Sequence, residues 1–497
     1  MSTRQDPVTP PEEPVTGQFF CESDYSVTTP YHWKRQLVQT SYPYLLVLAD
    51  LALLIALYFS LWLLRQEEFG AKFVSQRMLI AITIPTLIGN YLVGGYNYAT
   101  QKNRFRYLAE HAIVSALVFA TVLILIYAIV AYGRPIHTSR YVVFGTMAGF
   151  PILAIAYRWL LGNVQEQHET SNAICIIGAN ADAKDLYGRL KKSGITHEVL
   201  VFSHRDDEIG NRLKEDDPES PEIAPLSTLQ LSSSIDGHFV EAYVLAVDPK
   251  ELPRNLRQAL VVSLFNRNQI FSFESFVADK LKLFPPSHLS LDWPLEPGFN
   301  MHRSRTFYRT KLLFDRIVAL TGIIVGLPIL LLVALAVKLT SRGPVIFTQE
   351  RTGLQEEPFS IYKFRSMRVG SEKGSKYTEA NDPRLTPIGK FLRATRLDET
   401  PQLFNVLKGD LSLIGPRAEW VDLVKNYESK FPCYHFRHAV RPGITGWAQV
   451  NYPYGASEKD TLEKLGYDLY YVKNCSFMLD VTIIVKTIYT VVFGRGQ

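Results

Sequence analysis

Asp398 and Glu399 stand side by side in Arg393-Ala394-Thr395-Arg396-Leu397-Asp398-Glu399-Thr400-Pro401-Gln402. Thr400-Pro401 reads as a helix start, because proline is tolerated in a first turn and Leu403, Phe404 and Leu407 continue with helical apolar spacing. Both carboxylates then lie at a helix N-terminus, where free amide protons and the helix dipole favour the ionised form. Adjacent helical residues do not share a face, so one acid can aim at phosphorus while the other holds a divalent ion. A simple helix cap by Asp398 is the alternative.

Basic motifs surround the pair: Lys363-Phe364-Arg365-Ser366-Met367, Asn381-Asp382-Pro383-Arg384, Gly415-Pro416-Arg417 and Arg441-Pro442-Gly443-Ile444-Thr445-Gly446-Trp447. Arg351, Arg365, Arg384, Arg393, Arg417 and Arg441 recur beside turn-forming Gly or Pro, on loops that can converge. Planar forked donors suit phosphate oxygens; solvated or acid-paired arginines are the alternative. Cys21, Cys175, Cys433 and Cys475 lie far apart with no CxxC pair. Such spacing excludes a disulfide scaffold and a zinc site, and fits a reducing compartment.

The elements that position these groups must be spread over about three domains in a chain of 497 residues. Hydrophobic residues make up 47% and charged residues only 20%, against roughly 25% charged in soluble proteins. That balance predicts a membrane protein carrying soluble parts. The net charge of +5 is too small and too evenly spread for a nucleic-acid protein. Residues 1–41 read as a disordered cytoplasmic tail with no apolar core for a signal peptide. Tyr44 to Leu64, Met78 to Tyr96, Ile113 to Tyr132 and Tyr141 to Leu161 are each about long enough to span a bilayer, giving a four-helix transmembrane bundle over 42–162. Loop charges barely favour a cytoplasmic N-terminus. Asp50 falls inside the first span, without visible companions.

Residues 171–283 read as an α/β module with a parallel sheet. Ala173 to Gly178, Glu198 to Phe202, Val240 to Val247 and Ile270 to Phe273 are the strands; Ala183 to Lys192 and Pro253 to Phe265 are the helices. The turn Gly178-Ala179-Asn180-Ala181-Asp182-Ala183 lacks two of the three glycines of a dinucleotide fingerprint, so the module is Rossmann-like without an intact cofactor site. Tyr187 and Lys191 read as surface residues of its first helix. A Pro-rich linker, 284–302, leads to a basic cluster and to the apolar run Ile317 to Val337, interrupted by Pro328. Four spans return the chain to its starting side. A helix-break-helix that re-enters one leaflet over 312–339 keeps both soluble parts on one face, whereas a fifth crossing separates them.

The stretch 303–497 resembles the bacterial polyprenyl-phosphate sugar phosphotransferases, the monotopic phosphoglycosyl transferases. The ordered motifs FTQERTGL, IYKFRSM, NDPRLTPIGKFLR, LDETPQLFNVLKGDLSLIGPR, RPGITGWAQVN and DLYYVKN carry the likeness. The whole arrangement is similar to long members typified by undecaprenyl-phosphate galactose or glucose phosphotransferases. The resemblance implies an α/β catalytic domain that moves hexose-1-phosphate from a UDP-sugar to polyprenyl phosphate, releasing UMP, to initiate exopolysaccharide, capsule or O-antigen synthesis. It implies Asp398 as nucleophile and Glu399 as Mg2+ ligand. Pro416 and Arg417 would contact the nucleotide, Lys363, Arg365 and Arg393 the phosphates, and Arg441 the substrate. Asp468 and Asp480 would support, and Pro328 would break the re-entrant helix. Ala418 and Cys475 depart from the residues many members carry, proline and tryptophan. The partners expected are both substrates, the bacterial inner membrane with soluble domains facing the cytoplasm, and a second copy in a homodimer, with no nucleic acid. A membrane-anchored nucleotide-sugar dehydratase or epimerase using NAD, or a non-catalytic assembly scaffold, are the competing readings.

Overall fold

The computed structural model describes residues 32–69, 76–96, 105–131, 140–169, 172–193, 197–229, 231, 234–235, 238–265, 268–295, 305–370, 383–452, 455 and 457–493. Most of the expected tail, Arg303, Asn381 and Asp382 lie outside these residues. The chain divides into two compact units, one built on 167–273 and the other on 37–166 together with 274–497.

Helices α1 (His32–Phe69), α2 (Gln76–Leu92), α3 (Phe105–Ala131) and α4 (Arg140–Glu169) open the chain. Leu54, Tyr58, Ile82, Val122, Val143, Met147, Phe150 and Ala154 form their shared core. Leu45, Leu48, Ile80, Ile84, Ile124 and Ile152 are exposed, the inverted pattern of an element solvated by lipid. Among the described residues four helices are long and apolar enough to cross a membrane: Ser41–Leu64, Tyr107–Ala128, Tyr141–Gly162 and Phe307–Thr340. The second expected span is shorter than its sequence suggests. It is helical for only 17 residues and ends in a turn where Gly94 takes a positive φ, against the roughly 20 residues a crossing needs.

Asp50 has companions that linear sequence hides. Fully buried, its carboxylate accepts from Asn90 Nδ2 at 2.8 Å, from Tyr96 Oη at 2.6 Å, and from Tyr157 and Arg158. Three helices, α1, α2 and α4, and the turn after α2 thus meet at one ion pair, with Arg158 also 4.8 Å from the Tyr157 ring centroid. Removing one partner strands a buried charge. Asp50→Leu is expected to cost about 3–5 kcal/mol, read as a lower thermal midpoint in detergent, and Asp50→Leu/Arg158→Met to recover most of it. An Asp50→Leu midpoint equal to wild type contradicts this.

The sheet unit runs β1 (Asn172–Ile177), α5 (Ala181–Ser193), β2 (Glu198–Ser203), β3 (Ile223–Pro225), β4 (Ser234–Ile235), β5 (His238–Leu245), α6 (Arg254–Phe265) and β6 (Ile270–Ser272). Strand order is β3-β2-β1-β5, with β6 also beside β5. All these pairs are parallel, but the short β4 joins β5 antiparallel, so the sheet is mixed and not wholly parallel as the sequence suggests. Every residue of β1 is buried, which is why it reads as an unbroken apolar run. The glycine after it is obligatory. Gly178 has φ +107°, and a Cβ there would lie 2.6 Å from Val247 Cγ1. Two residues on, Asn180 Oδ1 accepts from the amides of Asp182 and Ala183, and its Nδ2 reaches the Ala246 carbonyl at 2.6 Å. The end of α5 that would meet a pyrophosphate is therefore occupied by the chain itself. Tyr187 is buried, not on the surface as expected; Lys191 pairs with Asp217 and Glu219.

After the four-residue helix α7 (Phe273–Phe276), α8 (Arg305–Thr340) continues through Pro328 as one 36-residue helix. The sequence suggests two helices separated by a break; here helical structure does not stop at the proline. The antiparallel hairpin β7 (Ile346–Thr352) and β8 (Pro358–Phe364) follows, then α9 (Pro387–Ala394), α10 (Gln402–Lys408), β9 (Ser412–Ile414), α11 (Val421–Lys430), β10 (Gly443–Thr445), α12 (Trp447–Asn451), α13 (Glu458–Asn474) and α14 (Phe477–Val492). Ala319 of α8 packs with Ile361 and Val406, while Val333 and Val337 pack with Phe364 and Leu392. Val485 of α14 packs with Val93, Tyr107 and Val114, joining this region to α2 and α3.

Candidate active site

Alternation along β8 puts Lys363 on the same face as Ile361, which packs against Val406 of α10. Its ammonium is thereby aimed at the turn that precedes α10. Asn405, fully buried within α10, ties that helix to β8. Its Oδ1 accepts from the Tyr362 amide at 3.0 Å and its Nδ2 donates to the Ser360 carbonyl at 2.7 Å. One side chain thus satisfies two of the backbone groups that an edge strand leaves open.

Asp398 and Glu399 lie in a tight 3-10 turn, Leu397–Glu399, entered through Arg396 in the left-handed region at φ 58°. The helix proper starts three residues later than the acids, at Gln402, behind Pro401 with no side-chain cap. Asp398 is therefore not the cap of α10. It is 8% exposed, and burial followed by the neighbouring Glu399 charge raises its pKa above the ordinary value, against the pull of Lys363 and Arg393. The sequence suggests a carboxylate made more acidic by a helix dipole. Burial reverses that direction and leaves a more basic, hence more nucleophilic, oxygen.

Glu399 is treated oppositely. Burial would raise it, but Lys363 and Arg417 outweigh burial and bring it down to about 2. Lys363 Nζ lies 2.6 Å from Glu399 Oε1, and Arg417 Nη2 lies 3.9 Å from the same oxygen. Arg393, in the last turn of α9, donates from Nε to Ser366 Oγ at 3.0 Å. The N-terminus of α9 is held close to this strand exit, because a Cβ on Gly389 would fall on the Ser366 carbonyl. Gly389→Ala is expected to displace α9, costing about 1–3 kcal/mol and lowering the thermal midpoint; an unchanged midpoint contradicts the close approach.

Five expected residues, Asp398, Glu399, Lys363, Arg393 and Arg417, meet at one place. Others are engaged elsewhere. Arg365 donates to the Pro344 carbonyl at 2.9 Å and lies over the Phe347 ring. Arg441 donates to the Gly409 carbonyl at 3.0 Å and lines a small cavity with Lys311, Asp315 and Tyr471. Asp468 forms a buried pair with Arg437 at 2.7 Å, and Asp480 accepts from Lys311 and from Tyr471 Oη, each at 2.7 Å. Pro416 contributes its carbonyl to the Gly443 amide at 2.8 Å. Sequence reasoning missed Asn405, Ser366 and Arg437. Asn405 alone carried a signal, as a polar residue inside the apolar run Leu403 to Leu407.

A basic, buried carboxylate beside an ionised one, ringed by three cations, can bind a diphosphate and attack phosphorus. The family model of bacterial sugar transferases matches residues 306–494. Over 183 residues the chain is 48% identical to a UDP-N-acetylgalactosamine-undecaprenyl-phosphate N-acetylgalactosaminephosphotransferase of Aeromonas hydrophila, covering 37% of this chain and 43% of that protein. It is 49% identical over 202 residues to a UDP-glucose:undecaprenyl-phosphate glucose-1-phosphate transferase of Klebsiella pneumoniae, covering 39% and 43%. The match therefore spans less than half the length of these two relatives. The exopolysaccharide production protein PSS of Rhizobium leguminosarum bv. phaseoli is 43% identical over 185 residues, 36% of this chain and 92% of that one. Matched by that family model over 306–494 and 43% identical to a relative covered along 92% of its length, the chain belongs to the bacterial sugar transferase family.

Proposed function

We propose that the protein transfers hexose-1-phosphate from a UDP-sugar to polyprenyl phosphate in two displacements at Asp398. The observation that carries this is the Leu397–Glu399 turn, where Asp398 is buried beside Glu399 and Lys363. In the first step Asp398 Oδ bonds to the sugar-bearing phosphorus, and the bridging P–O bond breaks with its electron pair leaving on UMP. In the second, an oxygen of polyprenyl phosphate attacks that phosphorus and the acyl–phosphate bond breaks, restoring the carboxylate and giving polyprenyl-diphosphate-sugar. Two displacements divide one difficult encounter between bulky phosphates into two easier ones. Lys363 and Arg393 would orient the diphosphate oxygens, and Arg417, with Pro416 fixing its loop, would meet the nucleotide.

Among the described residues no group of three or more His, Cys, Asp or Glu gathers to hold a metal. Two adjacent carboxylates still suit Mg2+, which takes one or two such ligands and completes its shell with water and substrate phosphates. Glu399 would hold it, and when bound it would supply neutralisation of the diphosphate charge. Arg365, Arg441, Asp468 and Asp480 would act through the frame around the site.

We further propose that α8 is re-entrant, bending at Pro328 within one leaflet. Supporting this, residues on either side of Pro328 pack on the same α/β region: Ala319 before it and Val337 after it. Around Pro328, Ile324, Val325, Ile329 and Leu332 are exposed on several sides, as lipid contact requires. The soluble parts would then face the cytoplasm from the inner membrane, with the site at headgroup depth where the acceptor's phosphate lies. The Rossmann-like unit would serve contacts between two copies of the chain; Asn180 fills the place an NAD-dependent dehydratase would leave for its cofactor.

The test is UMP release by membranes or nanodiscs supplied with polyprenyl phosphate and a panel of UDP-sugars. Release with one of them, and a labelled phosphosugar recovered on Asp398 after quenching, is expected. Sustained turnover, beyond one UMP per enzyme, that needs no lipid acceptor, or a label mapped to another residue, overturns the reading.

A further inference from the structure

We propose that Arg351 and Arg437, to which no role attaches so far, are positioning residues that orient Arg417 by holding the backbone of its loop, with Asp468 as the counterion of that frame. Four consecutive carbonyls of the loop are each occupied. Pro416 O accepts from the Gly443 amide at 2.8 Å and Glu419 O from the Thr352 amide at 2.9 Å. Between them, Arg417 O accepts from Arg437 Nη2 at 2.9 Å and Ala418 O from Arg351 Nη1 at 3.2 Å. Two donors are thus neighbouring main chain and two are buried guanidinium groups.

Burying a guanidinium is costly, and the partners each one finds fix its direction, although the buried Arg351 Nε has no hydrogen-bond partner among the described residues. Arg437 uses the rest of its fork on Asp468 Oδ2, at 3.2 and 2.7 Å, and on Tyr434 Oη at 2.8 Å. Arg351 donates to Gln349 Oε1 at 2.9 Å and lies 5.2 Å from the Trp420 ring centroid. The elements that supply them, β7, the 3-10 segment Pro432–Ala439 and the start of β10, close on the loop so tightly that a Cβ on Gly443 would fall on the Gly415 amide. Arg417 itself is different. Its side chain is 43% exposed and its Nη2 is 3.9 Å from Glu399. Where this guanidinium starts from, and so what it can reach, is set by how its loop holds the backbone. Small misplacements of a binding group cost large factors in rate.

This rests on Arg417 meeting the donor nucleotide as proposed above. Lysine keeps the charge and can still pair with Asp468, but it lacks the planar fork needed to hold carbonyl and acid together. In the full-length protein in nanodiscs, Arg437→Lys and Arg351→Lys are each expected to raise KM for the UDP-sugar about tenfold with a smaller change in kcat and little change in thermal midpoint. In an Arg417→Ala background the same substitutions are expected to have no further effect on kcat/KM. Equal losses in both backgrounds, or wild-type KM in both lysine variants, overturn the frame. If Arg437→Lys fails to fold, Arg351→Lys and Asp468→Asn carry the same comparison. Wild-type protein that releases no UMP with any UDP-sugar sinks the functional reading first, and the frame falls with it.

Discussion

Asp398→Asn is expected to lower UMP release by at least about 10³-fold while raising the thermal midpoint of the protein by roughly 2 °C. The two effects share one cause. Burial and the Glu399 charge hold the Asp398 pKa above that of the unfolded chain. The native state therefore disfavours the ionised form, and stability is lost as pH rises through the raised pKa. A neutral amide of the same shape removes that cost at neutral pH. It also removes the oxygen anion proposed above to attack phosphorus. For the wild type, the acid limb of activity is expected above the ordinary aspartate range of about 3.9, because protonated Asp398 is no nucleophile. Differential scanning in detergent and a UMP assay on the same preparation check both. A variant that loses activity and stability together would indicate that Asp398 serves packing alone.

Lys363→Met is expected to be the most destabilising change at the site, by about 3–5 kcal/mol, with activity lost as well. Lys363 is 2.6 Å from Glu399, and its removal leaves two adjacent buried carboxylates, with Glu399's ion pair to Arg417 remaining at 3.9 Å. The sign follows from Glu399, whose pKa falls to about 2 in the fold. A depressed carboxyl contributes stability above its unfolded pKa and loses it as pH falls through the folded one. The difference in midpoint between wild type and Lys363→Met is therefore expected to be large at pH 7 and to shrink toward pH 2–3, in the range of the Glu399 value. Adding Glu399→Gln should restore part of the stability and none of the activity. A deficit independent of pH would mean that Lys363 acts through packing of its stem and not through charge.

Much of the local structure was legible. The strands β1, β2, β5 and β6, the helices α5 and α6 and three of the four expected early spans follow from apolar period and length within a single window. The strands β3 and β4, three and two residues long, carry too few side chains to show a period. Tyr187 was misplaced because an aromatic on a polar helix can face either way until the sheet beneath it is known.

The acid pair and the need for cations beside it were readable from residue types, because only certain groups bind phosphate or attack phosphorus. Which cations reach it was not. Arg365 and Arg441 look like Arg393 and Arg417 in sequence, yet carbonyls of Pro344 and Gly409 take the first two. Asp50 looked solitary because its partners lie 40 to 108 residues away. Asp468 was expected to support the site, but the partner that fixes it, Arg437, lies 31 residues before it.

By itself the sequence determined where apolar length demands lipid, where backbone must turn, and which side chains are chemically able to act. Tertiary structure alone decided the pKa order of Asp398 and Glu399, the choice among six similar arginines and the support of the Arg417 loop. Chemistry is a property of single residues and travels with them. Desolvation and charge pairing depend on distances of a few ångströms between segments far apart along the chain, and those exist only once it has folded.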